Sequence, residues 1–135
     1  TVDIAVMRQD NSEVLLGKKS TSHKWRFPGG FVDPGGSNFE QAGRRELTEE
    51  CGAIETGNMQ YVASAQIDDW RYRTETDKIM TTLFKTEFLF GNPQASDDLE
   101  EVGWFSVNEL KTMVADGKIT EEHEVLIQLL LTNLK

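Results

Sequence analysis

Eight consecutive residues, Arg45-Glu46-Leu47-Thr48-Glu49-Glu50-Cys51-Gly52, constrain this chain more than any other stretch. On a helical wheel with about 100° per residue, Phe39, Gly43, Leu47 and Cys51 fall within a sector of roughly 120°, the face that should pack on a sheet. Glu46, Glu49 and Glu50 fall at about −100°, −160° and −60° from Leu47. Three carboxylates therefore share one flank, and Glu50 lies inside the apolar sector. Without a partner this is unfavourable. Like charges spaced i, i+4, as at Glu46 and Glu50, destabilise a helix by roughly a few tenths of a kcal/mol. A partly desolvated carboxylate adds a larger penalty. A hard divalent cation removes both, because Mg²⁺ prefers carboxylate and water oxygens and is commonly shared with a substrate phosphate. The competing reading is a solvated acidic face on which Arg44 and Arg45 form salt bridges.

Local signals set the helix within a mixed chain. Ser37 and Glu40 have the spacing of a capping box, and Gly52 sits where the helix should stop, which predicts a helix over 38–51. Ahead of it runs Phe27-Pro28-Gly29-Gly30-Phe31-Val32-Asp33-Pro34-Gly35-Gly36. Its glycines allow close approach of backbone to a ligand or metal, and free amides near a helix start can face phosphate oxygens. Apolar runs at 4–7 and 14–16, separated by turn residues, predict a hairpin. Further strands are expected at 27–32, interrupted by Pro-Gly-Gly, and at 61–67, 79–90 and 102–105. Ser106 with Glu109 predicts a second capping box, Gly117 a stop, and Thr120 the cap of a last helix. That helix carries an apolar stripe at Val125, Leu126, Leu129, Leu130 and Leu134. The pattern predicts a mixed sheet with helices packed on it.

Size and charge narrow the possible partners. The 135 residues suit a single domain over 1–135, long enough to bury roughly two thirds of its unfolded surface without a staple. The lone Cys51 cannot form an internal disulfide, which suits a reducing cytoplasmic setting. No apolar run approaches the roughly 20 residues that span a bilayer. The first residues do not resemble a signal peptide, although the absence of an initial methionine leaves an upstream segment open. A net charge of −9 argues against a long nucleic acid as partner. It permits a small phosphorylated ligand, provided a cation stands between phosphate and carboxylates.

The segment from Gly30 through Ala53 resembles the Nudix box, Gly-x5-Glu-x7-Arg-Glu-u-x-Glu-Glu-x-Gly-u with u aliphatic. Its second half is matched in full by residues 45–52. Trp25-Arg26-Phe27-Pro28-Gly29-Gly30, and Asp97-Asp98 through Trp104-Phe105, are also similar to the family. Two departures stand out. Gly36 occupies the place of the first glutamate, and one extra residue precedes Arg45. In the family that glutamate supports the loop through the arginine, so Arg45 is expected to pair instead with Glu49 or Glu40.

The resemblance implies an α/β (α+β) fold, an α/β/α sandwich with a mixed sheet. It further implies that Glu46, Glu49 and Glu50, with the backbone of Gly30, hold Mg²⁺ or Mn²⁺ for hydrolysis of a nucleotide diphosphate linkage. Glu50 is the first candidate for general base, followed by Glu100 and Glu101, then Glu87. Substrate contacts are expected at Trp70, Arg71 and Arg73, where aromatic faces and cations suit a nucleotide, and at Arg26, Gly29 and Gly30. Residues 68–82 bear a looser similarity to the corresponding loop of ADP-ribose-cleaving Nudix domains. ADP-ribose is therefore the preferred substrate. Nucleoside triphosphates, dinucleoside polyphosphates and, last, capped RNA are alternatives, and a non-catalytic sensor of an NAD-derived ligand is another. Many relatives are dimers, so a homodimer stays open. Trp104 is read as core and Trp25 as either core or ligand-facing. His23 and His123, lacking metal-ligand spacing, are expected to be ordinary surface residues.

Overall fold

A computed structural model describes residues 1–68, 74 and 78–135. The central strand is β1 (Val2–Arg8), in which Val2 through Met7 are buried on both faces. It is flanked by β2 (Glu13–Lys19) in antiparallel register and by β7 (Ile79–Gly91) in parallel register. The β1–β2 turn places Gln9, Asp10 and Asn11 at positive φ. The short strands β3 (Trp25–Arg26) and β4 (Gly29–Gly30) pair with β2 and β1 respectively. β5 (Ile54–Thr56) and β6 (Gln60–Ile67) pair with β7, and β8 (Leu99–Ser106) pairs with β2.

Alternation along the strands divides the core into two layers. Ile4, Val6 and Leu15 face α1 (Phe39–Cys51), meeting Leu47 and Cys51. Ala5, Met7, Val14 and Leu16 face the other way, toward α2 (Leu110–Ala115) and α3 (Glu124–Asn133). The result is an α/β/α sandwich around a mixed sheet, as the family resemblance implied and in keeping with the mixed sheet and packed helices that the sequence pattern predicts.

Several local expectations need correction. The cap of α1 is Asn38, whose Oδ1 accepts the Gln41 amide, because extended backbone falls one residue later than the Ser37 box required. Phe39, placed on the sheet face of the wheel, is half exposed at the first position of the helix, outside the packed region. Of the 27–32 strand only Gly29–Gly30 is paired, the two-residue Trp25–Arg26 strand lies ahead of that range, and β5 was not anticipated. In α3 the buried stripe is Leu126, Ile127 and Leu130, while Val125 is exposed. Thr120 precedes a 3-10 turn (Glu121–His123), but its hydroxyl makes no capping bond. The Ser106–Glu109 capping box is present, and Gly52 and Gly117 adopt the positive φ of helix stops. Trp104 packs edge-on to Phe88, and Trp25 edge-on to Phe105.

Candidate active site

The glycine loop and α1 are clasped together by Glu46 and Glu50, the two most buried glutamates among the described residues. Glu50 Oε1 accepts the Gly29 amide at 2.8 Å, so the carboxylate that the wheel placed in the apolar sector is held by backbone from β4. Glu46 lies against Gly30 so closely that a Cβ there would sit 2.7 Å from its carboxylate. Relative exposure is 6% for Glu50 and 9% for Glu46, whereas the Glu49 side chain is half exposed. Burial pushes the Glu50 carboxyl from an ordinary 4.5 up to about 7, against the opposing effects of the Gly29 amide and Arg26. Burial also raises Glu46, opposed chiefly by its bond to Arg45.

Arg45 binds the loop to the helix. Its guanidinium pairs with Asp33, donates to the Phe31 carbonyl at 2.9 Å and to Glu46 at 2.9 Å, and lies 3.7 Å from Glu49. The expected contact with Glu49 is thus present. The alternative with Glu40 is not, because Asp33, inside the loop itself, meets the guanidinium directly. An acid three residues before Gly36 takes up the arginine, so the loop is fastened despite the missing glutamate.

The oxygen donors suit a hard divalent ion. Glu46, Glu49, Glu50 and the Gly30 backbone offer only carboxylate and carbonyl oxygens, and a carboxylate has lone pairs to spare beyond one hydrogen bond. Glycine at position 30 is what permits Glu46 to lie against the backbone there. Among the described residues no group of three or more His, Cys, Asp or Glu side chains is already gathered in metal-binding geometry.

Beside the clasp opens a cavity of about 530 Å³, whose walls include Glu50, Gly29, Gly30, Arg26, Asp3 and His123. Residues 19–22 and Asp98 form part of its rim. The buried Asp3 carboxylate accepts the Thr81 hydroxyl at 2.5 Å and lies 3.7 Å from the Arg26 guanidinium. Burial raises the Asp3 pKa, opposed by Arg26 and the Thr81 bond. His123, expected at the surface, is 2% exposed, because the 3-10 turn before α3 carries it beneath the glycine loop. Its Nδ1 accepts the Phe27 amide at 3.2 Å, and its Nε2 lies 3.5 Å from Asp3. Burial holds its pKa well below 6.5, followed by the influence of Arg26 and Lys19.

Other sequence candidates are dispersed. Glu101 pairs with Lys18 at 3.0 Å, and Glu100 with His23 at 2.8 Å on the exposed side of β8. Neither lines the cavity, whereas the adjacent Asp98 does. Asp97 acts electrostatically on both Glu46 and Glu50. Glu87 stands opposite Met7, four residues along β1 from Asp3, or about 13 Å at the usual rise per residue. Trp70, Arg71, Tyr72 and Arg73 lie outside the described residues. Asp3 and His123 were missed as site residues. Asp3 did leave a signal, a lone charge within the otherwise apolar run 2–7.

The Glu50 shift has a measurable consequence for stability. A carboxyl raised from 4.5 to about 7 on folding contributes its full stability below pH 4.5, and loses it as pH rises through about 7. His123 has the opposite sign: its contribution is present above pH 6.5 and is lost as pH falls toward its depressed value. Comparing variants in chelator separates the two. Glu50→Gln should be more stable than wild type at pH 8, by an amount on the order of 3 kcal/mol at most, with the gap closing toward pH 4.5. Thermal melts across that range test it, and a gap independent of pH would refute the assignment.

The family described as the NUDIX domain matches residues 1–130. An ADP-ribose pyrophosphatase of Methanocaldococcus jannaschii is 29% identical over 126 residues, spanning 91% of this chain and 68% of that protein. An oxidized purine nucleoside triphosphate hydrolase of Danio rerio is 30% identical over 100 residues, spanning 72% of this chain and 60% of that protein. Among solved structures, the NUDIX domain of Shewanella oneidensis NrtR complexed with ADP ribose superposes with a TM-score of 0.76 at 20% identity. That match covers 99% of this chain and 86% of the other.

Proposed function

The chain belongs to the Nudix family, and from that premise we propose that it hydrolyses ADP-ribose to AMP and ribose 5-phosphate with Mg²⁺ or Mn²⁺. That it is a Nudix pyrophosphohydrolase rests on the family match and its hydrolase relatives. The observation that carries the finer reading is Glu50, a buried carboxylate at the wall of a cavity large enough for a small nucleotide, held by a Gly29 amide. The pyrophosphatase relative, aligned over 91% of this chain, supports ADP-ribose in particular.

In this reading Glu46, Glu49, Glu50 and the Gly30 carbonyl hold the metal, which when bound neutralises the diphosphate and lowers the pKa of water. The chain's own residues do the rest. Glu50 accepts a proton from the attacking water, the water oxygen bonds to one phosphorus, and the bridging P–O bond breaks, leaving a phosphate on each product. Arg45 and Asp33 keep the glycine loop on the helix. Arg26, partly neutralised by Asp3, presents a cation at the cavity wall for a phosphate oxygen. Trp70, Arg71 and Arg73 are proposed to contact the nucleotide.

The test is product release from a panel of nucleotides with Mg²⁺ or Mn²⁺. ADP-ribose should turn over at least about tenfold faster than the rest in kcat/KM, a difference of about 1.4 kcal/mol in transition-state binding. Chelator should abolish it. The Danio rerio relative supports a second reading, in which a nucleoside triphosphate leads the panel. Tight ADP-ribose binding with no turnover of any member would point instead to a sensor.

A further inference from the structure

We propose that His123 is a positioning residue for Glu50: by accepting the Phe27 amide it fixes the segment whose Gly29 amide holds the Glu50 carboxylate. The gap between β3 and β4 creates the need. β3 ends at Arg26 and β4 starts at Gly29, so Phe27, fully buried between them, has an amide without a sheet partner. A buried amide left unpaired is unfavourable, and the His123 Nδ1 supplies the acceptor.

Both sides of this contact are anchored. Residues 118–123 run beside residues 25–27: the Trp25 amide donates to the Lys118 carbonyl at 2.8 Å, and the Thr120 amide donates to the Trp25 carbonyl at 2.9 Å. His123 is the last contact of that run, its ring tilted against Phe27 with centroids 5.9 Å apart. On the other side, the Ile4 amide donates to the Pro28 carbonyl at 2.9 Å, and Gly29 pairs with Asp3. The next link is the Gly29 amide on Glu50 at 2.8 Å. From the His123 ring to Glu50 the path is therefore two residues of backbone, pinned at each step.

The Phe27 contact also sets the tautomer of the ring. A Nδ1 that accepts leaves the proton of a neutral imidazole on Nε2, which faces the Asp3 carboxylate 3.5 Å away. Asp3 is itself fixed by the Thr81 hydroxyl. A leucine at position 123 would fill much of the same volume but could accept nothing, so Phe27 would be free to shift. A displacement of about 1 Å at a reacting group costs as much as 10²-fold in rate.

This inference rests on Glu50 having the role proposed above, and the experiment separates the two. His123→Leu, His123→Asn and His123→Gln are compared with wild type and Glu50→Gln. The readouts are kcat, KM and amide hydrogen exchange at Gly29, referenced to Val6 in the middle of β1 and Leu47 in α1. Asparagine places Oδ1 where Nδ1 was, whereas the glutamine amide reaches the Nε2 place and leaves the Phe27 amide unmet. His123→Leu and His123→Gln should speed Gly29 exchange selectively and lower kcat by about tenfold or more, with KM changed little. His123→Asn should recover most of both. If His123→Leu does not fold, the contrast between Asn and Gln carries the test. Uniform loss of protection at all three amides, an Asn variant no better than Gln, or an effect on KM alone would overturn the proposal. Full turnover by Glu50→Gln would instead sink the role of Glu50, leaving the exchange result to judge His123.

Discussion

Glu50→Gln is expected to lower kcat by about 10²- to 10⁴-fold on whichever nucleotide the wild type cleaves, the range spanned by loss of a positioned acid–base group. The substitution is nearly isosteric and keeps an oxygen to accept the Gly29 amide, so the loop should stay where it is. What disappears is the charge and the basicity. Glu50 stands at the cavity wall, held on the Gly29 amide, and so is placed to take a proton from a water there. The same variant should melt no lower than wild type at neutral pH, since it removes a desolvated charge. Mn²⁺ affinity should also weaken, because an amide is a poorer ligand for a hard cation than a carboxylate. Steady-state turnover, a melt and a Mn²⁺ titration check these together. Turnover within a factor of about three would exclude Glu50 as base and transfer attention to Asp97 and Asp98, the acids that the structure brings near it.

The helix was legible because its information is local. Periodicity placed Leu47 and Cys51 on the sheet, and the same wheel showed that Glu50 could not avoid the buried sector. The strands followed from short apolar runs bounded by turn residues, and the nearly unbroken run of β1 fits its burial on both faces. The glycine loop was legible as a close approach, though not as to what approaches. That Glu46 lies against Gly30 and Glu50 against Gly29 depends on how α1 docks on β4, which no spacing along the chain encodes. Asp33 was overlooked as the partner of Arg45 for a similar reason, since an exposed acid in a loop is ordinarily just solvated. His123 sits 96 residues from the amide it accepts, and a lone histidine beside two glutamates reads as surface until the 3-10 turn is seen to carry it inward. Asp3 is the instructive miss. One charge in a run of five apolar neighbours on a strand buried on both faces must have a partner, and here the partners are Thr81, Arg26 and His123.

The two adjacent glycines should separate stability from catalysis. Gly29 is crowded by backbone: a Cβ there would collide with the Val2 carbonyl and the Asp3 carboxylate, and would lie 2.8 Å from the Asp3 Cα. The Val2 carbonyl and the Asp3 Cα cannot move without displacing the central strand. Gly29→Ala should therefore cost about 3 kcal/mol, the upper part of the usual range for overpacking, and lower the melting temperature by roughly 10 °C. At Gly30 the obstacle is only the Glu46 carboxylate, the far end of a flexible side chain, at 2.7–2.8 Å. Glu46 can swing away, so Gly30→Ala should change the melting temperature far less. A displaced Glu46 loses its bond to Arg45 and its place beside the loop carbonyl. Turnover should then fall by about 10²-fold, the scale of a misplacement near 1 Å, and Mn²⁺ affinity should fall with it. Melting curves and turnover of the two alanine variants decide the matter. If Gly30→Ala were as unstable as Gly29→Ala, the loop would be acting on stability at both positions. If it were stable and fully active, Glu46 would have no part in the chemistry.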